Sequence, residues 1–228
     1  MTLMVGFPRI IHAVWIGPKP PPTKLLDTWF ALNPAWEFRL WNSDKVQSYV
    51  STTRAGAVLV PSDTPWPVQA QIDQMSELNG RADMMRFCIL AKWGGVYVDA
   101  DEECLLPLDE RFCQHEAWAC WENETCRPGV VATTVLGAMP GARLFVDLVE
   151  RIPSCDLRRA AAWETVGPSF LTRVAKDHPE LHMFPARHFL PEHYTGTKAP
   201  GNAELFGRHH WGNTQAVLTK ADVYGRFT

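Results

Sequence analysis

The sequence of 228 residues has no long hydrophobic run and little excess of charge of either sign. No stretch approaches the roughly 18 to 20 consecutive apolar residues that a membrane-spanning helix needs. Met1 to Thr28 lacks the charged start, apolar run and cleavage site of a secretory signal. We therefore expect a soluble, cytoplasmic protein. The 22 basic and 25 acidic residues give a net charge of −3, which argues against general attraction to nucleic acid phosphate.

Cysteine is also scarce, with six residues and no C-x-x-C pair. Free thiols in a reducing compartment are therefore the expectation. One short segment groups four soft ligands, Cys113, His115, Cys120 and Cys126. A zinc site is the alternative there, although the spacing matches no familiar zinc motif.

The remaining composition is that of an ordinary packed globule, 46% apolar and 21% charged. The length predicts a single domain over residues 1–228. Ten tryptophans stand out. They could fill the core or form a surface for flat or sugar-like ligands, and composition does not separate these two roles.

The hydrophobic pattern predicts an α/β protein with a mainly parallel central sheet and flanking helices. Arg9 to Ile16 is almost wholly apolar, as a strand buried on both faces would be. Thr23 is predicted to cap a helix through Phe30, and the alternation from Trp36 to Trp41 predicts a second strand. A strand, helix, strand order is typical of this class.

The middle of the chain leads into an acidic segment. The composition predicts a helix over Gln69 to Asn79, an interruption at Gly80, and a helix over Arg81 to Trp93 that Gly94 ends. The second half predicts strands at Ala117 to Glu122 and Val130 to Leu136, and helices at Ala142 to Ile152 and Phe170 to Ala175.

The strongest chemical signal is the segment Gly94 to Asp101, GGVYVDAD. A buried strand that ends in Asp99 and Asp101 presents two carboxylates at the carboxyl edge of the sheet, where open α/β sheets bind ligands. Such oxygen ligands suit Mg²⁺ or Mn²⁺ together with substrate phosphates. A solvated acidic turn is the alternative.

Asp83 and Arg86 lie three residues apart on the preceding helix and so face the same side. A surface ion pair is one interpretation. Because most of that helix is apolar, a polar cleft is the other, and an arginine fork beside a metal-holding aspartate suits a diphosphate.

These residues resemble a known family. The block Arg81-Ala82-Asp83, Arg86 and Gly94 to Asp101 is similar to the signature of the DXD-containing sugar transferases. These form glycosyltransferase family 32, the group of the yeast Golgi initiating mannosyltransferases, and are distantly similar to the clostridial glucosylating toxins. Weaker similarities cover most of the chain, at Pro8 to Gly17, Trp36 to Asn42, Val130 to Pro140, Thr165 to Pro168 and His209 to Trp211.

The resemblance implies a GT-A fold, Rossmann-like, and a UDP- or GDP-linked sugar donor whose anomeric configuration is retained. It implies catalytic roles for four residues, Asp83, Arg86, Asp99 and Asp101. Donor contacts are expected from Asp83, Arg86 and Asp99 and from a further set, His12, Val14, Trp15, Ile16, Tyr97, Thr133 and Thr214. Core packing is the alternative for His12, Trp15 and Tyr97.

The resemblance also implies Mn²⁺ or Mg²⁺ on Asp99 and Asp101, completed by a histidine from the tail. His209 and His210 are adjacent, so their side chains diverge in an extended segment and only one should face the site. Two positions depart from the family pattern, since Thr133 stands where asparagine is expected and Thr214 replaces a serine. The missing N-terminal anchor of the Golgi relatives leads us to expect a bacterial or viral enzyme.

The sequence predicts a metal-dependent retaining glycosyltransferase that moves a hexose to an acceptor hydroxyl. The acceptor could be a glycan, a small molecule or a modified nucleobase. The nucleobase alternative would use a basic face formed by Arg151, Arg158 and Arg159. A sugar-nucleotide hydrolase and a catalytically weak sugar-nucleotide-binding module are the remaining alternatives.

Overall fold

The computed structural model describes residues 6–16, 20–42, 57–61 and 66–212. The described strands are β1 Ile10–Trp15, β2 Glu37–Asn42, β3 Ala57–Pro61, β4 Gly95–Val98, β5 Glu102–Cys104, β6 Ala117–Asn123, β7 Arg127–Ala138, β8 His182–Phe184 and β9 Gly207–His209. The described α-helices are α1 Thr23–Leu32, α2 Gln69–Gln74, α3 Leu78–Trp93, α4 Arg143–Arg151, α5 Ala162–Thr165 and α6 Pro168–Ala175.

Seven of the strands form one sheet in the order β3-β2-β1-β4-β7-β6-β8. The pairs β1–β2, β1–β4, β2–β3 and β6–β8 are parallel, while β7 runs antiparallel to both β4 and β6. A separate antiparallel pair joins β5 to β9. The predicted α/β class with a mainly parallel sheet and flanking helices is confirmed.

The core has one hydrophobic cluster on each face of this sheet. Neighbouring residues of β4 divide between the two clusters, with Tyr97 in one and Val96 and Val98 in the other. The first cluster includes the buried residues of α3, and the second includes Trp29 of α1. Because both faces are covered, β1 and β4 are almost continuously apolar, as the pattern predicted.

Two local predictions are wrong. Gly80 lies inside α3, and the interruption falls before Leu78. A Cβ at Gly80 would lie 2.7 Å from the Cβ of Ala162, so packing against α5 explains this glycine. Thr23 is the first residue of α1, and the residue before it, Pro22, occupies the cap position with no side-chain cap. Gly94 ends α3 as predicted, with a φ of 63°.

Most of the tryptophans belong to the core. Five are buried, namely Trp29, Trp36, Trp41, Trp66 and Trp118. The rings of Trp41, Trp66 and Trp93 pack together with centroid separations of 4.7 to 6.3 Å. The tryptophan content therefore reflects packing first, and the ligand contact expected of the half-buried Trp15 remains a prediction.

Candidate active site

The candidate site lies at the carboxyl edge of the sheet, where β1 and β4 end. These strands are parallel, with His12 beside Tyr97, so the last residues of β1 come to the same edge as Asp99. The antiparallel strand β7 passes the same point, and the backbone N–H of Asp99 donates to the carbonyl of Thr134 at 2.8 Å. Segments that are far apart in the sequence thus converge on the DXD segment, Asp99 to Asp101.

Arg86 lies buried at the centre of the first group of charges. Its guanidinium lies 2.9 Å from Oδ1 of Asp99 and 3.3 Å from Oδ1 of Asp83. It also donates to the backbone carbonyl of Thr133 and lies 4.5 Å above the ring of Tyr97. Protein groups thus already engage this guanidinium, and only 4% of the residue is exposed. Its expected contact with the diphosphate remains a prediction.

The two carboxylates beside Arg86 have raised pKa values. Burial raises the pKa of Asp83 to about 7, although Arg86 opposes the shift. Burial likewise raises the pKa of Asp99, against the pull of Arg86. For Arg86 itself, burial disfavours the charged form, but the neighbouring acidic groups, with Asp99 foremost, together outweigh it and leave the pKa raised. The group is thus a buried cation shared between two acids.

Asp83 is also held by two later segments of the chain. The hydroxyl of Thr133 donates a hydrogen bond to its carboxylate. Gly167 passes so close that a Cβ there would lie 3.0 Å from Oδ2 of Asp83. The Thr165 to Pro168 segment, a weak similarity in the sequence, therefore lies directly beside this aspartate.

Asp99, Asp101 and His209 form the second group of charges. Each offers one ligand atom, and these atoms all lie within 4.8 Å of one another. The backbone N–H of Gly212 donates to Oδ2 of Asp101 at 2.7 Å, which ties the tail to the DXD segment. Two carboxylate oxygens and one imidazole nitrogen fit Mn²⁺ better than Mg²⁺.

The charge balance of this second group also fits a cation. His209 is buried, which disfavours its charged form, but Asp101 and Glu102 outweigh burial and raise its pKa to about 9. The negative potential that holds a proton on this imidazole would equally attract a divalent metal ion, since a metal can take the proton's place.

The structure separates the two adjacent histidines. His209 faces Asp101, with Nδ1 3.7 Å from Oδ1, whereas Nε2 of His210 contacts Glu103 at 3.0 Å. His210 is therefore placed away from the carboxylate pair, which corrects its inclusion among the metal ligands. His209 is the last residue of β9 and lies opposite Glu102 in the register with β5, whereas His210 lies beyond the strand.

Glu102 is a site residue that the sequence interpretation missed. Its side chain is fully buried, and Oε2 lies 3.1 Å from Nδ1 of His209. Burial raises its pKa to about 8, although the hydrogen bond from His209 opposes the shift. The signal available in the sequence was its place in the run Asp99 to Glu103, which reads equally well as a solvated acidic turn.

Two donor-binding candidates lie within the core. His12 is fully buried, Nε2 donates to the carbonyl of Gly94 at 3.0 Å, and Nδ1 accepts from the indole of Trp41 at 3.1 Å. Burial lowers the pKa of His12 to about 3, so it is a neutral core histidine and its assignment to the donor is corrected. Tyr97 is likewise buried beneath Arg86, and its hydroxyl bonds Asp99 at 3.1 Å.

The other donor-binding candidates have varied positions. The half-buried Trp15 ends β1 at the site edge, between the buried Val14 and the half-buried Ile16 that follows the strand. Thr133 contacts the buried arginine group, as described above. Thr214 lies outside the described residues, so its predicted contact remains a prediction.

The cysteine segment forms no metal centre in the described part of the chain. All six cysteines are free, as predicted. Among residues 6–16, 20–42, 57–61 and 66–212, only Asp99, Asp101 and His209 converge as a group that could hold a metal ion. His115 instead stacks on His182, with ring centroids 3.7 Å apart.

Solved glycosyltransferase structures share this fold. The PaToxG glycosyltransferase has the same fold with a TM-score of 0.63 at 14% identity, over 76% of this chain and 70% of that one. Mouse xyloside xylosyltransferase 1 matches with a TM-score of 0.56 at 13% identity, over 90% of this chain and 98% of that one. The predicted GT-A fold is confirmed.

Sequence comparison adds a similarity to one family over part of the chain. The family model described as a glycosyltransferase sugar-binding region containing a DXD motif matches residues 22–118. Inositol phosphoceramide mannosyltransferase 3 of Schizosaccharomyces pombe is 27% identical over 180 residues, 74% of this chain. The predicted resemblance to the DXD sugar transferases and the predicted glycosyltransferase class are confirmed.

The match to this relative has two limits. The chain spans 45% of the relative's length, so the relative's activity is carried over only as a proposal. The relative is fungal, and the comparisons do not support the expected bacterial or viral origin. No helix within the described residues has the length and apolar character needed to cross a membrane.

Proposed function

We propose that the chain is a metal-dependent retaining glycosyltransferase that moves a hexose from a nucleoside-diphosphate sugar to an acceptor hydroxyl. The observation that carries this proposal is the convergence of Asp99, Asp101 and His209 at the sheet edge. We further propose that residues 1–228 act as one domain, since β9 joins the strand directly after the DXD segment.

In the proposed site, Asp99, Asp101 and His209 would hold Mn²⁺, or Mg²⁺ as the alternative. A bound divalent ion would supply positive charge to the diphosphate as it leaves. Arg86 links Asp83 to this group, and Asp83 would accept hydrogen bonds from hydroxyls of the donor sugar. Trp15, at the end of β1, would stack on the base of the nucleotide.

Arg86 has a supporting role in this proposal. By bridging Asp83 and Asp99, it fixes one carboxylate toward the sugar and the other toward the metal. Attack by the acceptor from the face that the diphosphate leaves would retain the anomeric configuration, and the leaving phosphate would take the acceptor's proton.

A group of half-buried side chains supports an acceptor cleft beside the metal group. Trp211 packs against His209 with ring centroids 4.6 Å apart and against Tyr194 at 5.4 Å. Arg127 donates to the hydroxyl of Tyr194 at 3.0 Å and lies 5.4 Å above the ring of Trp163. Aromatic faces beside an arginine suit a hydroxylated ring, and this favours transfer over simple hydrolysis.

The choice of donor to test first comes from the name of the relative rather than from the geometry of the site. Because the relative is named a mannosyltransferase, GDP-mannose is the first donor to test, followed by UDP-linked hexoses. The modified-nucleobase acceptor has less support, because Arg151 of the predicted basic face is paired with Asp147 and Asp177.

The test measures release of the nucleoside diphosphate from a panel of nucleotide sugars, with water and with hydroxylated acceptors. We expect turnover of at least one donor with Mn²⁺ present and its loss in excess EDTA. An acceptor should accelerate release, and the anomeric configuration of the product should match the donor. Full turnover in EDTA would contradict metal dependence, and an inverted product would contradict retention.

A further inference from the structure

Glu102 is a buried acid for which the proposed reaction has no role. None of its surface is exposed. Burying a carboxylate is costly unless a partner compensates. Among the residues that the structure describes, its one ion-pair partner is His209, at 3.1 Å. The fold therefore keeps a costly buried acid at this position, which indicates a role for its contact with His209.

Several features of the fold hold this carboxylate against His209. Glu102 and His209 face each other directly in the β5–β9 register. The carbonyl of Glu102 accepts a hydrogen bond from the indole of Trp29 at 2.8 Å, which fixes the backbone. On the side of the second oxygen, a Cβ at Gly207 would lie only 2.6 Å from Oε1. The space for the carboxylate therefore depends on a glycine in β9.

The hydrogen bonding of Glu102 is directed at the histidine. Oε2 contacts Nδ1 of His209, while Oε1 is buried without a hydrogen-bond partner within the described residues. Leaving a buried oxygen without a hydrogen-bond partner destabilises the fold. The residue with this unpaired oxygen is thus also the residue that contacts His209, one of the proposed metal ligands.

We propose that Glu102 is a positioning residue that orients His209 for metal binding. Its carboxylate contacts Nδ1 of His209 and so fixes the ring beside Asp99 and Asp101. Metal-ligating histidines commonly donate their other ring nitrogen to a carboxylate in this way. The inference rests on the proposed metal-dependent function, and its test separates the two.

The neighbouring Glu–His contact supplies a matched control. Glu103 contacts Nε2 of His210 at 3.0 Å, and these side chains are 27% and 26% exposed. The two contacts have similar lengths and involve adjacent residues, although His210 lies just beyond β9. Only the pair that includes Glu102 adjoins Asp99 and Asp101. Glu103→Gln and Glu103→Ala should leave metal affinity unchanged.

The experiment measures Mn²⁺ affinity of the full chain by calorimetry, with thermal unfolding in EDTA as the measure of folding. Glu102→Ala should weaken Mn²⁺ binding about 10- to 100-fold, the usual effect of losing such a partner. Glu102→Gln keeps the size and an acceptor oxygen, so its affinity should lie between wild type and Glu102→Ala. Gly207→Ala should weaken binding as well, because its methyl group displaces the carboxylate.

A double-variant comparison shows whether Glu102 acts through the histidine. In a His209→Ala background, Glu102→Gln should cause no further loss of affinity, whereas a merely structural role would cause the same loss in both backgrounds. If Glu102→Ala does not fold, Glu102→Gln and Gly207→Ala carry the test.

Wild-type affinity in folded Glu102→Gln and Gly207→Ala would overturn the inference, as would equal losses for the Glu102 and Glu103 variants. A wild-type chain that binds no Mn²⁺ would instead overturn the metal dependence on which the inference rests.

Discussion

Two groups of charges share one edge of the sheet and differ in how their charge is balanced. In the first, Asp83 and Asp99 share the buried cation Arg86. In the second, Asp99, Asp101 and Glu102 surround the single imidazole of His209. The first group thus has two acids for one arginine, whereas the second has three acids for one histidine. A cation is therefore expected at the second group, and the first is expected to hold its neighbours in place.

The largest effect should come from removing the cation of the first group. Arg86→Met leaves the buried Asp83 and the half-buried Asp99 without their partner, so we expect a loss of about 3 to 5 kcal/mol in the free energy of unfolding. Denaturant unfolding in EDTA measures this loss. Arg151→Ala is the control, because the ion pairs of Arg151 with Asp147 and Asp177 are exposed to solvent and contribute little to stability. Equal losses in the two variants would contradict the buried bridge.

A smaller effect concerns pH. Burial raises the pKa of Asp83 to about 7 in the folded chain, from an ordinary value of 3.8. Between these values the folded state binds more protons than the unfolded state, so ionisation of Asp83 lowers stability as pH rises. Asp83→Asn should remove this contribution and flatten the pH dependence of the unfolding free energy between about pH 4 and 7. Parallel curves for wild type and variant would contradict the shift.

The sequence predicted those parts of the fold that depend on local patterns. The apolar strands Arg9 to Ile16 and Val96 to Val98, and the glycine that ends α3, follow from periodicity and turn chemistry. The break before Leu78 did not, because Gly80 is explained by its contact with Ala162, more than eighty residues away. Local signals cannot report such packing.

The site residues divide in the same way, between those that local patterns predict and those that depend on distant contacts. The position of Asp99 and Asp101 at a strand end was readable, because parallel strands bring their ends to one edge. The choice of His209 over His210 depends on the β5–β9 register, which pairs residues 107 apart. The burial of Arg86 also depends on Thr133 and Tyr97, whose positions come from two different strands.

The most direct test of the difference between the two groups is Mn²⁺ binding by wild type and Asp101→Asn, measured by calorimetry and by the metal-dependent shift in thermal unfolding. Asp101 belongs only to the second group, so the variant should unfold like wild type in EDTA and yet lose Mn²⁺ binding and its stabilisation. Turnover of the donor should fall about 10²- to 10³-fold, as when an electrostatic stabiliser of a transition state is removed. An Asp101→Asn protein that binds Mn²⁺ as wild type does would contradict the account.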